Sequence, residues 1–168
     1  MNTFVAQRLI RMASIRLLAA PERVFPLFEP LGEREWATDW EPVLLYPTSG
    51  AAEEQAVFLT PHLHSTTPAI WTITRFAPQD YEIRYLRVAP NEHVAEISIT
   101  CVELDDGQTQ ASIAYVFTGL SAEGNLYVST FSEEHYLHWI HSWETAINHY
   151  LQFGRRYQHA GHSEIEKG

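Results

Sequence analysis

Hydrophobic and polar residues alternate through the middle of the chain, between positions 42 and 120. Alternation of this kind, interrupted by turn residues, is typical of β-strands with one buried face. The later runs are separated by only two to four residues, which predicts antiparallel strands joined by hairpins in a meander. The predicted strands are residues 9–18, 43–46, 55–60, 69–76, 81–88, 93–104 and 109–120.

The side-chain period of two assigns an inner face to most of these strands. Arg87 falls on the apolar face of its strand, and Arg75 falls on the same face as Trp71 and Ile73. If these faces point inward, two guanidinium groups would sit in an apolar cavity; otherwise each arginine would reach solvent or pair with a neighbouring glutamate. The inner positions of the last three strands are predicted to be Tyr81, Ile83, Tyr85, Arg87, Ala95, Ile97, Ile99, Cys101, Ala111, Ile113, Tyr115 and Phe117.

Helical spacing of apolar residues occurs on both sides of the strand region. Residues 21–28 and 31–36 predict two short helical pieces, the first opened by a proline that suits a first helical turn. A long helix is predicted from near residues 130–132 to Phe153, with Gly154 as its stop. Its roughly 22 residues, at about 1.5 Å each, would cross a whole sheet. The buried stripe of this helix is predicted to be Tyr136, Trp139, Ile140, Trp143, Ile147, Tyr150 and Leu151.

Composition narrows the class of protein. The length of 168 residues predicts one domain, with its core at about residues 8–153 and a frayed tail at 154–168. The net charge of −10 would be repelled by phosphates, which disfavours nucleic acid as a partner. No run approaches the roughly 20 apolar residues of a spanning helix, so we expect a cytoplasmic protein without membrane insertion. Cys101 is the single cysteine and is expected to be buried and structural, and the sequence leaves homodimerisation open.

Five short motifs stand out along the chain: VFPLF at 24–28, GEREW at 32–36 with Trp40 and Pro42, WTITRF at 71–76, LSAEGN at 120–125 and WETAIN at 143–148. With the predicted order of strands and helices, they resemble the START-related superfamily known as SRPBCC, which also holds the pollen-allergen-like proteins and the polyketide cyclases and aromatases. The resemblance covers about residues 8–152, and the motifs look most like a bacterial branch of that superfamily. It implies an α+β helix-grip fold of β-αα-β6-α order, with a curved antiparallel sheet around the long C-terminal helix.

The resemblance also implies a kind of function. Relatives hold sterols, phospholipids, polyketides or plant hormones in an elongated cavity between the sheet and the C-terminal helix. We therefore expect a carrier or sensor that binds a small hydrophobic or amphipathic molecule and needs no cofactor. Two alternatives stay open: a cyclase, aromatase or dehydratase that uses the same cavity, and a protein-interaction module without an occupied cavity.

The candidate cavity residues are aromatic or can form hydrogen bonds, as in most ligand pockets. The five tryptophans fit either a cavity lining or ordinary core packing. An inward arginine needs an acidic partner, so Arg75 and Arg87 could anchor an anionic or carbonyl head group, or pair with Glu82 or Glu92 instead. The candidates are Trp36, Trp40, His62, Trp71, Arg75, Tyr85, Arg87, Tyr115, Trp139 and Trp143.

Several histidines of the chain could act as metal ligands or as catalytic groups. His62 and His64 could share one strand face, where a polar position at the cavity mouth or a plain loop is favoured over a metal site. The helical histidines, His135, His138 and His141, are predicted to be solvated. Catalysis on an enolisable carbonyl would use His62, Tyr85, Tyr115 and Arg87, but the sequence carries no Ser/His/Asp set or glycine-rich phosphate loop. No catalytic residue and no metal are assigned from the sequence.

Overall fold

A computed structural model describes residues 3–62 and 65–158. Its seven strands form one antiparallel sheet in the order β1-β7-β6-β5-β4-β3-β2, so each strand from β2 to β7 pairs with its neighbours in the chain. This order confirms the predicted meander, with the first strand added beside the last. The strands are β1 (Arg8–Leu17), β2 (Val43–Tyr46), β3 (Val57–His62), β4 (Ser65–Ala77), β5 (Glu82–Ala89), β6 (His93–Glu103) and β7 (Thr109–Gly119).

Three α-helices accompany the sheet in the described part of the chain: α1 (Pro21–Val24), α2 (Ala122–Ser129) and α3 (Glu133–Phe153). The short 3₁₀ turns are Phe25–Phe28, Gly32–Glu35 and Pro78–Asp80. None of the helices in the described residues is long and apolar enough to cross a membrane. Together, the curved sheet and the long last helix make the predicted helix-grip architecture.

Helix α3 has the start and end that its sequence predicts. The Ser132 side chain caps its first turn by accepting a hydrogen bond from the His135 backbone N–H at 3.1 Å. Gly154 ends the helix with a φ of 69°, a left-handed conformation that glycine adopts at little cost. Helix α2 was not predicted; Ser121 caps it by accepting from the Gly124 backbone N–H at 3.0 Å.

The core lies between the inner face of the sheet and one stripe of α3. Tyr136, Trp139, Ile140, Ile147 and Leu151 are buried there as predicted, whereas Trp143 and Tyr150 are partly buried. The Tyr136 hydroxyl donates to the Ile113 carbonyl at 2.7 Å, which joins the helix to β7. Cys101 is buried in the same core, and burial raises the pKa of its thiol to about 12.

The predicted inner faces of β5, β6 and β7 are correct, but the prediction for β4 is wrong at Arg75. A bulge separates Ile73 from Arg75: Ile73 pairs with Tyr85, but Arg75 already pairs with Arg84. An extra residue in one strand exchanges the two faces beyond it. The Arg75 side chain is therefore 46% exposed, and its Nε donates to Glu82 Oε2 at 2.9 Å.

The turn between β5 and β6 is held against α2 by a close backbone approach. A Cβ built on Gly124 would lie 1.6 Å from the Glu92 carbonyl oxygen. The same carbonyl accepts a hydrogen bond from the Leu120 backbone N–H at 2.8 Å. Only glycine fits at position 124 in this packing, and the contact fixes the turn that carries Glu92 and His93.

Candidate functional site

A cavity of about 530 Å³ lies between the inner face of the sheet, α3 and the loop formed by residues 29–41. Four of its lining residues are exposed, Thr38, Asp39, Glu41 and Pro61, and these mark its mouth. The remaining wall is mostly aromatic. The volume falls within the range of roughly 300–1,000 Å³ that is usual for small-molecule sites.

Nine of the ten candidate residues from the sequence line this cavity. Arg75 is the exception, because the bulge in β4 turns its side chain to the outer face of the sheet. The nine come from three different parts of the fold, which the topology brings together. They are Trp36 and Trp40 from the 29–41 loop, His62, Trp71, Tyr85, Arg87 and Tyr115 from the sheet, and Trp139 and Trp143 from α3.

The tryptophans of the 29–41 loop are anchored by their own hydrogen bonds. Trp36 Nε1 donates to the Leu27 carbonyl at 2.8 Å, and Trp40 Nε1 donates to the Pro30 carbonyl at 2.7 Å. Each ring then contacts another wall: Trp36 lies 5.6 Å from Trp143, and Trp40 lies 5.4 Å from Trp71, between ring centroids. These contacts tie the loop to both the helix and the sheet.

A second group of aromatic side chains joins the sheet to α3. Tyr115 packs against Trp139 with 5.0 Å between ring centroids, and Trp139 packs against Trp143 at 5.2 Å. On the neighbouring part of the sheet, the Tyr85 hydroxyl donates to the Phe28 carbonyl at 2.6 Å. The cavity is therefore enclosed by rings whose orientations are set by their neighbours.

A buried polar chain occupies one part of the wall, and we call its members, Arg87, His93, Glu92 and His62, the Arg87 cluster. Arg87 is 4% exposed, and Nη2 of its guanidinium donates a hydrogen bond to His93 Nε2 at 3.1 Å. His93 Nδ1 donates to Glu92 Oε1 at 3.2 Å, and His62 Nε2 donates to Glu92 Oε2 at 2.5 Å. Because arginine can only donate, His93 must be the neutral tautomer with its proton on Nδ1.

The pKa shifts of the Arg87 cluster agree with this assignment. Burial and then the Arg87 charge lower the pKa of His93 to about 4. Burial alone would raise the pKa of Glu92, but the hydrogen bond and charge of His62, together with His93, outweigh it and leave the pKa lowered. The guanidinium of Arg87 also lies over two cavity rings, 5.4 Å from the Trp71 centroid and 5.9 Å from the Tyr115 centroid. The cluster therefore presents a fixed permanent cation to the cavity.

A second polar part of the wall, the Glu33 wall, consists of Glu33, Tyr115 and Trp139. Burial raises the pKa of the Glu33 carboxyl well above its ordinary value. Burial also raises the pKa values of Tyr85 and Tyr115 well above the ordinary value, and the Glu33 charge adds to both shifts. Trp139 is 2% exposed, and its Nε1 finds no hydrogen-bond acceptor among the described residues. Glu33, Tyr115 and Trp139 thus line the cavity, and the buried Trp139 N–H lacks the chain of partners that holds Arg87.

Sequence reasoning missed Glu33, His93 and Tyr127, all of which line the cavity. His93 carried a usable signal, since it has the same strand parity as Ala95 and Ile97 and so belongs to the inner face. Glu33 carried one as well, because a spacing of three places it on the same side of a helical turn as Trp36. Tyr127 belongs to the unpredicted α2, where its ring stacks on His93 at 4.4 Å.

The other histidine hypotheses are resolved only in part. His135, His138 and His141 are exposed, as predicted, on the outer side of α3. His64 lies outside the described residues, so its proposed pairing with His62 has no structural test. Across residues 3–62 and 65–158, no group of three or more histidine, cysteine, aspartate or glutamate side chains is arranged to hold a metal ion.

No protein-family model matches the chain, and no curated protein matches it by sequence. Solved structures do match its fold. Norcoclaurine synthase from Thalictrum flavum, in complex with dopamine and hydroxybenzaldehyde, superposes with a TM-score of 0.62 at 4% identity, over 88% of each chain. Ara h 8.0201 gives a TM-score of 0.60 at 10% identity, over 87% of this chain and 99% of that one. An uncharacterised Rhizobium leguminosarum protein gives 0.54 at 12% identity, over 76% and 98%. These likenesses establish the helix-grip fold.

Proposed function

We propose that the protein binds a small hydrophobic or amphipathic molecule inside this cavity, as a carrier or sensor. The observation that carries the proposal is the cavity of about 530 Å³, enclosed by aromatic side chains from the sheet, α3 and the 29–41 loop. Burial of the ligand's apolar surface against these rings would supply most of the affinity, at roughly 25 cal/mol per Å² before ordering costs. The bacterial SRPBCC branch suggested by the sequence motifs is part of the same proposal.

Arg87 is the proposed anchor for a carboxylate or carbonyl head group. Its guanidinium lines the cavity between Trp71 and Tyr115 and is held from behind by His93. A planar guanidinium whose direction is already fixed can donate two parallel hydrogen bonds to such a group. Asp39 and Glu41 at the mouth favour a neutral carbonyl over a highly charged ligand during passage.

The solved neighbours support the size of the ligand. Norcoclaurine synthase holds dopamine and hydroxybenzaldehyde, so this fold can enclose small aromatic molecules. At 4% identity the two chains share the architecture and not the site, and the ligand of one is not assigned to the other. We therefore propose the class of ligand, an apolar or aromatic body with a polar end, and leave its identity to direct measurement.

Native mass spectrometry of the freshly purified protein tests the proposal directly. We expect a discrete excess mass of a few hundred daltons that disappears on denaturation, with the released compound identified by extraction. A bare mass, together with no affinity for any aromatic acid or ketone, would reject ligand binding. A copurifying protein instead of a small molecule would favour the interaction module.

Calorimetric titration with 2-naphthoate and 2-acetonaphthone then tests the head-group assignment. We expect Arg87→Gln to weaken 2-naphthoate binding by about 10- to 100-fold, as expected for hydrogen bonds to a charged group worth roughly 1.5–3 kcal/mol. Arg75→Gln is the matched control, because it removes the same charge from the outer face and should leave the affinity unchanged. Equal losses in the two variants would show an effect of net charge and exclude an anchor at Arg87.

A second candidate function, a cyclase- or dehydratase-type enzyme, is favoured by one observation. Glu33, with its pKa raised by burial, lies in the same cavity as two tyrosine hydroxyls, an arrangement that suits proton transfer to and from carbon. In D₂O, such a base would remove a methyl proton of 2-acetonaphthone and the enolate would take back a deuteron. Proton NMR would record faster loss of the methyl signal with the protein than with its Glu33→Gln variant. Equal rates would leave the carrier or sensor function alone.

A further inference from the structure

The Glu33 wall differs from the rest of the cavity in its hydrogen-bonding capacity. Three of the other indoles, those of Trp36, Trp40 and Trp71, each donate to a protein oxygen at 2.7–2.9 Å. Trp139 Nε1 is buried and has no such acceptor among the described residues. A buried donor without a partner costs roughly 1–3 kcal/mol, which a ligand atom that accepts this hydrogen bond would recover.

The Glu33 carboxyl complements this donor. Glu33 lines the cavity from the 3₁₀ turn Gly32–Glu35, and its backbone N–H is fixed by the Glu29 carbonyl at 3.0 Å. Burial is the cause of the shift in its pKa, with no charge from the described residues opposing it. Trp36, one turn further along the chain, packs against Trp143 with 5.6 Å between ring centroids. Trp143 in turn packs against Trp139 at 5.2 Å and against Tyr115 at 6.5 Å, so the turn that carries Glu33 lies on the Trp139 side of the cavity.

Glu33 lies apart from Arg87. The Arg87 guanidinium lies over the Trp71 and Tyr115 rings of the sheet and donates to His93. The turn that carries Glu33 instead packs on α3, through the contact between Trp36 and Trp143. Tyr115 therefore stands between two separate polar regions of one cavity.

We propose that Glu33, Tyr115 and Trp139 form a second polar subsite that takes a hydroxyl group of the ligand. A hydroxyl group has one hydrogen to donate and lone pairs to accept with, which matches a wall that offers a carboxyl acceptor and an indole donor. The inference rests on the proposed ligand-binding function and narrows it. The preferred ligand is an aromatic molecule with a carboxylate or carbonyl at the Arg87 end and a hydroxyl group at the other end.

Calorimetry with three related probes tests the subsite. The probes are 2-naphthoate, 6-hydroxy-2-naphthoate, whose hydroxyl is at the end remote from the carboxylate, and 3-hydroxy-2-naphthoate, whose hydroxyl is adjacent to it. We expect the remote hydroxyl to tighten binding by about three- to tenfold, the usual value of one or two net hydrogen bonds. The adjacent hydroxyl should give no such gain, since it would lie at the Arg87 end.

Variants of the subsite separate a specific hydrogen bond from a general effect on the cavity. Glu33→Met and Trp139→Phe should each reduce the gain from the remote hydroxyl to near onefold. Glu35→Met, an exposed position in the same 3₁₀ turn, should leave the gain unchanged. Binding of 2-naphthoate by each variant serves as its internal check of folding.

The possible outcomes distinguish the subsite from the function on which it rests. If the three probes bind equally to the wild-type protein, or if Glu33→Met keeps the full gain, the subsite is rejected and the ligand cavity stands. If none of the probes binds and purified protein carries no ligand, the proposed function itself is rejected. A gain that is lost only in Arg87→Gln would assign the hydroxyl to the Arg87 cluster and overturn the inference.

Discussion

The two polar regions of the cavity are built in opposite ways. In the Arg87 cluster, one buried guanidinium is held by a chain of hydrogen bonds through His93 and Glu92 to His62. In the Glu33 wall, the buried Trp139 N–H has no hydrogen-bond acceptor among the described residues, and burial raises the pKa of the Glu33 carboxyl. The guanidinium of the first region is oriented by His93 before a ligand arrives, whereas the indole N–H of the second would gain its hydrogen bond only from a ligand.

This difference separates two ways of making a binding site. Burying a preorganised cation lowers the stability of the folded protein by the cost of desolvating the charge. Little further free energy is then lost when a ligand binds, because the cation is already oriented. A buried polar group without a hydrogen-bond partner destabilises the empty protein, and a ligand that supplies the partner removes this cost. Such a wall therefore discriminates strongly between ligands that can and cannot form the hydrogen bond. The two regions should therefore respond differently to pH and to substitution.

The largest expected difference is the response to acid, which is a property of the Arg87 cluster. His93 is neutral in the folded protein, and the charged or titratable groups that face it are Arg87, Glu92, His62 and the Tyr127 ring. Its pKa is lowered from 6.5 to about 4, so below about pH 6.5 the unfolded chain binds a proton that the folded chain does not. Stability should therefore fall as the pH falls through this window, by about 3 kcal/mol in all.

Urea unfolding between about pH 7 and pH 4 measures this loss. His93→Gln should flatten the profile because Gln does not titrate, even if the variant is less stable throughout. His138→Gln, on the exposed side of α3, is the control and should follow the wild-type profile. A His93→Gln profile as steep as the wild type would show that Glu92 or another acid, and not His93, causes the acid sensitivity.

The Glu33 wall should show the opposite sign of pH dependence. Glu33 shares the cavity with Tyr85 and Tyr115, and its charge raises the pKa values of both hydroxyls. Because burial raises the pKa of Glu33 in the folded state, the unfolded chain releases its proton first as the pH rises above about 4.5. The wild type should then lose stability relative to Glu33→Gln by up to about 1.4 kcal/mol per pH unit, until the folded carboxyl also ionises. Parallel profiles for Glu33→Gln and the exposed Glu35→Gln would mean that the carboxyl is well solvated.

The smallest expected difference compares two buried tryptophans. Trp36→Phe removes an indole and breaks the hydrogen bond to the Leu27 carbonyl, whereas Trp139→Phe removes a donor that has no partner in the described chain. Both side chains are almost fully buried, so the loss of packing is similar. Trp139→Phe should therefore cost about 1 kcal/mol less stability than Trp36→Phe, measured by urea unfolding of the empty protein. Equal losses would indicate that Trp139 Nε1 is satisfied by water.

Most of the fold follows from local pattern, because a strand with one buried face repeats every two residues. That period correctly assigned the inward positions of β5, β6 and β7, including Arg87 and Tyr115. The period failed at Arg75, because a bulge depends on how β4 pairs with β5 and cannot be recognised from the alternation within one strand. It also missed α2, in which only Gly124 and Val128 are buried and no apolar stripe develops.

The candidate site was predictable where aromatic side chains define it and not where polar ones do. Tryptophans in an amphipathic pattern predict a buried aromatic surface, whichever element of the fold they pack against. The positions of Glu33 and His93 depend on tertiary packing: one lies in a short turn tucked over the sheet, the other at the start of a strand. Their chemistry arises from burial and from neighbours distant in the chain, which alternation does not report.

All five tryptophans of this chain line the one cavity described above. Indole emission responds to the polarity of its surroundings and to nearby acceptors of excitation energy. In most proteins that signal averages over scattered sites, but here every tryptophan lines the same cavity. A shift or quenching of the tryptophan emission would therefore report occupancy of the cavity without an added label.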